Sequence, residues 1–200
     1  MAQRVVVGIS GASGAIYGVR ALEALRRVPD VEVHLIVTPA ARQTIAVETD
    51  HSQSEVEGLA DVVHGMGNVA APISSGSFKT AGMIVVPCSV RTLAAIAASV
   101  SDNLLGRAAD VVLKERRRLV LVVRETPLHL GHLRAMVQAT ELGAIVMPAM
   151  PAFYHRPQSV DDIVNQTVNR ALDLLGIDLP SDLFDRWTGP RRPHDTSALM

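Results

Sequence analysis

Short apolar runs alternate along the chain with segments of helical periodicity, and this alternation restricts the possible folds more than any other feature. The apolar runs span 4–9, 31–37, 81–87, 119–124 and 143–148. The helical segments span 15–27, 39–48, 92–98, 103–115, 130–141 and 159–175, and the polar stretch 50–78 is typical of loops and short elements. Apolar strands separated by helices indicate a parallel sheet that is buried on both faces. We therefore predict a three-layer α/β fold, with a Rossmann-like or flavodoxin-like, mostly parallel sheet and helices on both faces.

The length of the chain, 200 residues, is that of one domain with a full core. We predict a single domain over 1–187 and a C-terminal tail over 188–200, which carries two prolines and two arginines. Hydrophobic residues make up 48% of the chain but aromatic residues only 3%, so the core is predicted to be mostly Val, Ile, Leu and Ala. Such an apolar excess indicates that part of the surface is buried against other copies of the chain.

Charge and cysteine content exclude several classes of function. The net charge is −1, from 19 basic and 20 acidic residues, which predicts neither a nucleic-acid partner nor binding to an anionic membrane. No apolar run is long enough to span a bilayer, and we expect no signal peptide, so no membrane insertion is predicted. The single cysteine, Cys88, cannot form an internal disulfide and is expected to be a buried, inert thiol, which indicates the cytoplasm as the location.

Residues suited to binding and catalysis follow the predicted strands. In parallel sheets, ligands bind outside the carboxyl ends of the strands. The segments that follow the five predicted strands are SGASG at 10–14, Thr38, PCSVRT at 87–92, Arg124 with Glu125, and PAMPAFYHRP at 148–157. We therefore predict one site at this edge, formed by small hydroxyl residues, arginines, a glutamate and a tyrosine.

The glycine-rich loop after the first strand differs from the dinucleotide motif G-x-G-x-x-G. Ser10 stands where the second glycine would be, and the second strand ends in Val37 and Thr38 without the acid that would hold a ribose. The remaining small residues at a helix N-terminus favour a mononucleotide phosphate, with FMN as the leading candidate and Ser13 and Thr38 as hydroxyl donors. A tight turn between strand and helix with no ligand is the open alternative.

The candidate cations and the tyrosine also have ordinary structural interpretations. Arg107 and Lys114 lie seven residues apart beside an apolar helix face, with Asp110 between them, so periodicity alone favours a surface ladder of ion pairs over a phosphate contact. Arg170 lies at the rim of the last apolar helix face, where it either covers apolar surface or reaches into a pocket between subunits. Tyr154 either packs in its proline-rich loop or contributes to the site.

Two further groups of titratable residues are predicted to hold no metal. His129 and His132 are three residues apart, but no further ligand cluster accompanies them. Asp161 and Asp162 lie at a predicted helix start, where acids favour the helix dipole, with Ser159 as the cap.

Several long segments resemble the UbiX/Pad1 family of flavin prenyltransferases over about residues 4–187. They are GISGASGAIYG, ETD at 48–50, PCSVRTLAAIA, SDNLLGRAADVVLKERRRLVLVVRETPL and GAIVMPAMPAFYHRPQSVDDIV. The segment LHLGHL at 128–133 is similar to those family members that are known as subunits of non-oxidative hydroxyarylic acid decarboxylases. The resemblance implies that 1–187 is a single flavoprotein domain.

The resemblance implies a metal-independent transfer of a dimethylallyl group from dimethylallyl monophosphate to N5 and C6 of reduced FMN. It also implies a dodecamer and, as a functional partner, a UbiD-type decarboxylase that uses the prenylated FMN. The implied FMN contacts are Gly11, Ala12, Ser13, Thr38, Ser89, Val90, Arg91, Thr92 and Arg124. The implied contacts of the prenyl phosphate are Arg107, Lys114, Arg124, Tyr154, Arg170 and Trp187. The implied catalytic residues are Glu48, Lys114, Glu125, Tyr154 and Arg170, and a glutamate with a raised pKa could move a proton.

The sequence departs from the family pattern at Ser99, where many members have glycine, at Arg91, and at Val69, where some have an aromatic residue. A serine at Ser99 would be strained if the backbone there needs a positive φ. Two alternatives stay open at this point: an FMN-dependent cysteine decarboxylase, and a non-catalytic, flavin-carrying subunit of an aromatic acid decarboxylase.

Overall fold

Six parallel strands form one sheet in the computed structural model, which describes residues 2–189. The strands are β1 (Gln3–Ile9), β2 (Val31–Val37), β3 (Val62–His64), β4 (Gly82–Cys88), β5 (Arg118–Val123) and β6 (Ile145–Val146). Their order across the sheet is β3-β2-β1-β4-β5-β6, and each neighbouring pair is parallel. This is the doubly wound Rossmann order, in which the chain reverses direction across the sheet between β1 and β4.

Seven helices connect or follow these strands in the described part of the chain. They are α1 (Ala15–Leu25), α2 (Pro39–Glu48), α3 (Gln53–Glu57), α4 (Val90–Ala97), α5 (Leu104–Lys114), α6 (Leu130–Glu141) and α7 (Val160–Leu175), with a 3₁₀ turn at Pro72–Ser74. The predicted alternation and the parallel three-layer fold are confirmed. The sequence did not single out β3, which has only three residues and lies in the polar stretch 50–78.

The core consists of two apolar layers, one on each face of the sheet. Because side chains alternate along a strand, Val5 and Val7 of β1 point into one layer, with α1 and α7, while Val6 points into the other, with α4 and α5. Burial raises the pKa of the Cys88 thiol to about 12, which confirms the prediction of an inert thiol. Among the described residues, no helix is long and apolar enough to cross a membrane. The predicted tail lies outside the described residues from position 190 onward.

The turn that follows α4 has a positive φ at Ser99, the position where many family members have glycine. Ser99 has a φ of 54°, in the left-handed region. Its N–H donates to the carbonyl of Ile96 at 3.0 Å, and the N–H of Val100 donates to the carbonyl of Ala95 at 2.8 Å. These two bonds are those of a Schellman C-cap, in which glycine is the usual left-handed residue. Ser99 carries local backbone strain because a residue with a Cβ is disfavoured at this φ. Its side chain is exposed and makes no contact that requires a serine.

Replacing Ser99 with glycine is expected to stabilise the protein. The change relieves the left-handed strain, offset in part by the greater flexibility of glycine in the unfolded chain, and should raise the free energy of unfolding by about 0.5–1 kcal/mol. Urea unfolding measures the difference. Ser99→Ala keeps the strain and serves as the control; equal stability of the Gly and Ala variants would contradict the argument.

Two histidines form a buried pair at the edge of the sheet. His34 on β2 is 3% exposed and His64 on β3 is 8% exposed. Their ring nitrogens Nδ1 and Nε2 are 2.9 Å apart, and His34 Nε2 lies 3.0 Å from the carboxylate of Glu32. Glu32 also accepts a hydrogen bond from Arg4 at 3.1 Å. Burial, and to a lesser extent the charge of His34, lowers the pKa of His64.

The lowered pKa of His64 predicts a loss of stability in mild acid. An exposed histidine has a pKa of about 6.5, so below that pH the unfolded chain binds more protons at this position than the folded chain. Stability is therefore full above about pH 6.5 and falls as the pH drops toward the lowered folded value. Urea unfolding at pH 7.5 and pH 5.5 should show a smaller loss for His64→Gln than for the unaltered chain. His51→Gln, at a more exposed position, is the control, and an equal pH dependence in all three proteins would refute the assignment.

Candidate active site

A crevice opens at the carboxyl edge of the sheet, where the loops after β1 and β4 diverge. Its volume is about 490 Å³, within the range of small-molecule sites. The crevice is lined by six of the nine residues predicted to bind FMN, which are Gly11, Thr38, Ser89, Val90, Arg91 and Thr92. Glu125 also lines it, while Met66, Ile96 and Leu105 supply apolar walls. The structure therefore brings together residues from the segments after five strands, as parallel strands require.

Ser10 joins the two loops on either side of this crevice. Its side chain is buried, its hydroxyl donates to the carbonyl of Pro87 at 2.9 Å, and it accepts from the N–H of Ser89 at 2.8 Å. The serine that replaces the second glycine of the dinucleotide motif thus fixes the β1 loop against the β4 loop. Gly11 is required for a different reason, because a Cβ there would lie 2.4 Å from the Cβ of Ala40 on α2.

The N-terminus of α1 is occupied by a carboxylate of the chain itself. Glu48, the last residue of α2, accepts from the N–H groups of Gly14 at 2.7 Å and Ala15 at 2.9 Å. Burial raises the pKa of Glu48, but hydrogen bonds from Ser13, Ala15 and Gly14 and the charge of Arg124 outweigh it and hold this pKa below its usual value. In this structure the N–H groups of Gly14 and Ala15 thus bind Glu48, while the FMN contacts expected at Gly11, Ala12 and Ser13 stay a prediction. A raised pKa was expected of a glutamate that moves a proton, but the pKa of Glu48 is lowered.

The start of α4 offers a second set of donors inside the crevice. Ser89 caps this helix, accepting from the N–H of Thr92 at 3.3 Å, and its hydroxyl donates to that of Thr92 at 3.1 Å. An anion is favoured at the start of α4 by the positive end of the helix dipole. The hydroxyl of Thr38 on the facing loop and the guanidinium of Arg91 favour it as well.

Tyr17 connects the crevice region to the last helix. Burial raises its pKa, against a hydrogen bond to the side chain of Thr167 on α7 and the charge of Arg124. Arg124 thus lies close to Glu48 and Tyr17, although it does not line the crevice. Thr167 lies one turn of α7 before Arg170.

The region around Arg170 contains a second cavity, of about 470 Å³. It is lined by Tyr154, Arg170, Phe184, Arg186 and Trp187. The hydroxyl of Tyr154 accepts from Gln166 of α7 at 3.4 Å, and the rings of Tyr154 and Trp187 meet edge to face at 5.8 Å. Three residues predicted to bind the prenyl phosphate therefore share one cavity.

Arg107 and Lys114 do not line either cavity. Arg107 donates to the carbonyl of Ser74 at 3.2 Å and to Asp110 at 2.8 Å, so the ion-pair interpretation is confirmed for this residue. Lys114 pairs with Glu115 at the end of α5, where the chain turns into the amino end of β5. A six-residue strand spans about 20 Å, so Lys114 lies at the opposite edge of the sheet from Arg124.

The remaining titratable residues have local roles. Ser159 and Asp162 form a capping box at the start of α7, as the predicted cap suggested. The rings of His129 and His132 contact each other at a tilt of 33°, with centroids 3.6 Å apart, and His129 accepts from the N–H of Gly131 at 3.0 Å. Residues 2–189 contain no group of three or more His, Cys, Asp or Glu arranged to hold a metal.

Several residues of the site were not found from the sequence. They are Ser10, Tyr17, Gln166, Thr167, Asn169, Asp173 and Arg186. The sequence signal that could have indicated those on the last helix is the polar run 165–167 with Asn169 and Arg170, which interrupts an otherwise apolar helix face. Gln166, Thr167 and Asn169 are all buried, and buried polar groups require hydrogen-bond partners.

The doubly wound sheet and the crevice at its topological switch point define a nucleotide-binding flavoprotein, and residues 1–172 match the protein-family model described as Flavoprotein. The chain is 65% identical over 187 residues to the flavin prenyltransferase UbiX of Escherichia coli strain K12, covering 94% of this chain and 99% of that protein. It belongs to the UbiX family of flavin prenyltransferases.

Two solved structures are similar over almost the whole chain. The crystal structure of AnUbiX (PadA1), in complex with FMN and dimethylallyl pyrophosphate, has a TM-score of 0.92 at 51% identity and covers 96% of this chain and 100% of that one. A dodecameric, FMN-dependent UbiX-like decarboxylase from Escherichia coli O157:H7 has a TM-score of 0.90 at 51% identity and covers 94% and 100%. The predicted family and fold are confirmed.

Ser10→Ala is expected to destabilise the loops of the crevice. The change leaves the partly buried N–H of Ser89 without its partner, while the carbonyl of Pro87 keeps the backbone N–H of residue 10, and should cost about 1–3 kcal/mol of unfolding free energy. Chemical denaturation measures this cost, with the exposed Ser101→Ala as the control. A Ser10→Ala protein as stable as the control would show that the bridge between the loops contributes nothing.

Proposed function

We propose that the chain transfers a dimethylallyl group from dimethylallyl monophosphate to N5 and C6 of reduced FMN, which yields prenylated FMN. The observation that carries this proposal is a pair of cavities, the crevice at the carboxyl edge of the sheet and a second cavity between α7 and the segment that follows it. One is large enough for a flavin and has a helix start for its phosphate, and the other has an arginine, a tyrosine and aromatic walls. The relative solved with FMN and dimethylallyl pyrophosphate supports the same pairing of ligands.

FMN fits the donors and the walls of the crevice. In this proposal Thr38 and the start of α4, from Ser89 to Thr92, hold the phosphate, while Met66, Ile96 and Leu105 cover the apolar ring system. Gly11 lines the crevice on the β1 side, and we propose that Ala12, Ser13 and Arg124 contact FMN as well. Reduced FMN, when bound, supplies the nucleophilic N5 and C6 atoms.

The second cavity suits the prenyl phosphate. Breaking its C–O bond leaves extra negative charge on phosphate, which the Arg170 guanidinium and the Tyr154 hydroxyl stabilise as it develops. Tyr154, Phe184 and Trp187 line this cavity, and their ring faces would stabilise positive charge on the allylic group.

The two glutamates have different surroundings and, we propose, different tasks. Glu48 is held ionised by hydrogen bonds from Ser13 and the α1 N-terminus and by the charge of Arg124, so it acts as a fixed anion rather than as an acid. Glu125 follows directly after Arg124 and lines the flavin crevice, where it is placed to exchange a proton with the ring system.

Arg107 and Lys114 would reach the prenyl phosphate only from a neighbouring copy of the chain, since both lie outside its own cavities. Oligomerisation is supported by an apolar stripe on α6, formed by Leu130, Leu133 and Val137, which are 58%, 46% and 58% exposed. A similar protein is dodecameric, and we propose the same assembly here.

The fate of the product is also part of the proposal. Prenylated FMN made here would serve a separate UbiD-type decarboxylase acting on an aromatic acid. We also propose that 1–187 is a single flavoprotein domain, because the segment up to Trp187 packs on α7. The cytoplasmic location stays a prediction from the single cysteine.

The direct test mixes the purified protein with reduced FMN and dimethylallyl monophosphate under anaerobic conditions, with the diphosphate in a parallel reaction. Mass spectrometry should find flavin carrying one added five-carbon unit. FMN that binds but stays unchanged with both donors would contradict the proposal and favour a non-catalytic, flavin-carrying subunit.

Arg170→Ala is expected to weaken use of the prenyl donor and to leave FMN binding unchanged. Loss of a charged hydrogen-bond donor to phosphate should lower kcat/KM for dimethylallyl monophosphate by about 10- to 100-fold. Steady-state kinetics and fluorescence titration of FMN measure the two effects, with the exposed Lys79→Ala as the control. An equal loss of donor use and FMN binding would mean that the two phosphate sites are wrongly assigned.

A further inference from the structure

The prenyl-phosphate cavity is formed in large part by an arm without regular secondary structure. The arm, residues 182–187, follows α7 and supplies Phe184, Arg186 and Trp187, three of the five lining residues. Since no strand or helix fixes these residues, the shape of the cavity depends on what binds the arm to α7.

Asp173 of α7 is the main attachment point of the arm. Its two carboxylate oxygens accept from both terminal nitrogens of Arg186, at 2.8 and 2.9 Å. Such bidentate pairs are the strong and geometrically specific form of an ion pair. One turn earlier, Asn169 accepts from the N–H of Leu183 at 2.7 Å. Asp173 therefore determines where the Arg186 side chain and the neighbouring Trp187 lie.

The same carboxylate also holds Arg170. Arg170 Nη1 donates to Asp173 Oδ2 at 2.7 Å, so the two arginines that line the cavity converge on one acid. Hydrogen bonds from Arg186, stronger than the opposing effect of burial, and from Arg170 keep the pKa of Asp173 below its usual value, so the acid is charged at neutral pH. Without that charge, two guanidinium groups would face each other across the cavity.

The two arginines differ in how many donors they have left. Arg186 uses Nε, Nη1 and Nη2 on Asp173 and Asp182. Within residues 2–189, Arg170 makes a protein hydrogen bond only through Nη1, so its Nε and Nη2 remain for a ligand. Arg186 is thus committed to the structure, whereas Arg170 is oriented by Asp173 and still able to bind phosphate.

We propose that Asp173 is a positioning residue for the prenyl donor: it orients Arg170 and, through Arg186, holds the arm that carries Trp187 against Tyr154. This inference rests on the proposed function, because it assigns the cavity to a prenyl phosphate. Asp173 itself touches neither FMN nor the reacting atoms in this account. Its loss should therefore affect the capture of the donor more than the chemical step.

The test uses Asp173→Asn in the FMN-loaded, full-length protein, with two readouts. The KM for dimethylallyl monophosphate should rise by about tenfold, with a smaller change in kcat and unchanged FMN binding. Trp187 is the only tryptophan, so its fluorescence anisotropy reports the arm directly and should fall when the arm is released. Asp173→Glu should restore part of both, and the exposed Asp178→Asn is the matched control.

Arg186→Gln tests the arm separately, because it leaves the Arg170–Asp173 pair in place. It should lower the anisotropy as Asp173→Asn does and raise KM by a smaller factor. If the unaltered chain is active while Asp173→Asn behaves like Asp178→Asn in both readouts, the positioning role is overturned. A chain that transfers no prenyl group to FMN overturns the proposed function instead, and the assignment of the cavity with it.

Discussion

Parallel pairing of all six strands is the constraint on which the rest of this structure depends. It sends every loop after a strand to the same edge of the sheet, and the reversal of chain direction between β1 and β4 opens a crevice there. Ser10 joins the loops after β1 and β4 by its backbone N–H, which donates to Pro87, and by its buried hydroxyl, which bonds to both Pro87 and Ser89. The position of one loop relative to the other therefore depends in part on this serine.

Helix α7 fixes the positions of several residues of the site. Its apolar residues pack against the sheet, but three buried polar residues point to different parts of the site. Gln166 bonds to Tyr154, Thr167 to Tyr17, and Asn169 to the arm at Leu183. Buried polar groups are costly when they lack partners, so these bonds specify one arrangement of loop, helix and arm. A single helix thereby aligns the tyrosine, the arginine and the arm that we assign to the prenyl phosphate.

The sequence was informative where the signal is local. Apolar runs predicted five of the six strands, Ser159 and Asp162 marked the start of α7, and the positions after the strands indicated the edge that carries the site. Contacts between segments that are far apart in the chain could not be predicted from the sequence. Nothing in the loop at 10–14 indicates that Glu48, 34 residues away from Gly14, occupies the helix N-terminus in place of a ligand. The wide separation of Lys114 from Arg124 likewise follows from the direction of α5, which only the fold determines.

The account centres on two anion sites, one for FMN at the start of α4 and one for the prenyl phosphate at Arg170. A crystal structure of this chain with FMN and dimethylallyl monophosphate bound tests that claim most directly. We expect the flavin phosphate near Thr38 and Ser89–Thr92, and the prenyl phosphate within hydrogen-bond distance of Arg170 and Tyr154. A flavin phosphate that displaces Glu48 from the α1 N-terminus, or a prenyl phosphate bound away from Arg170, would contradict it.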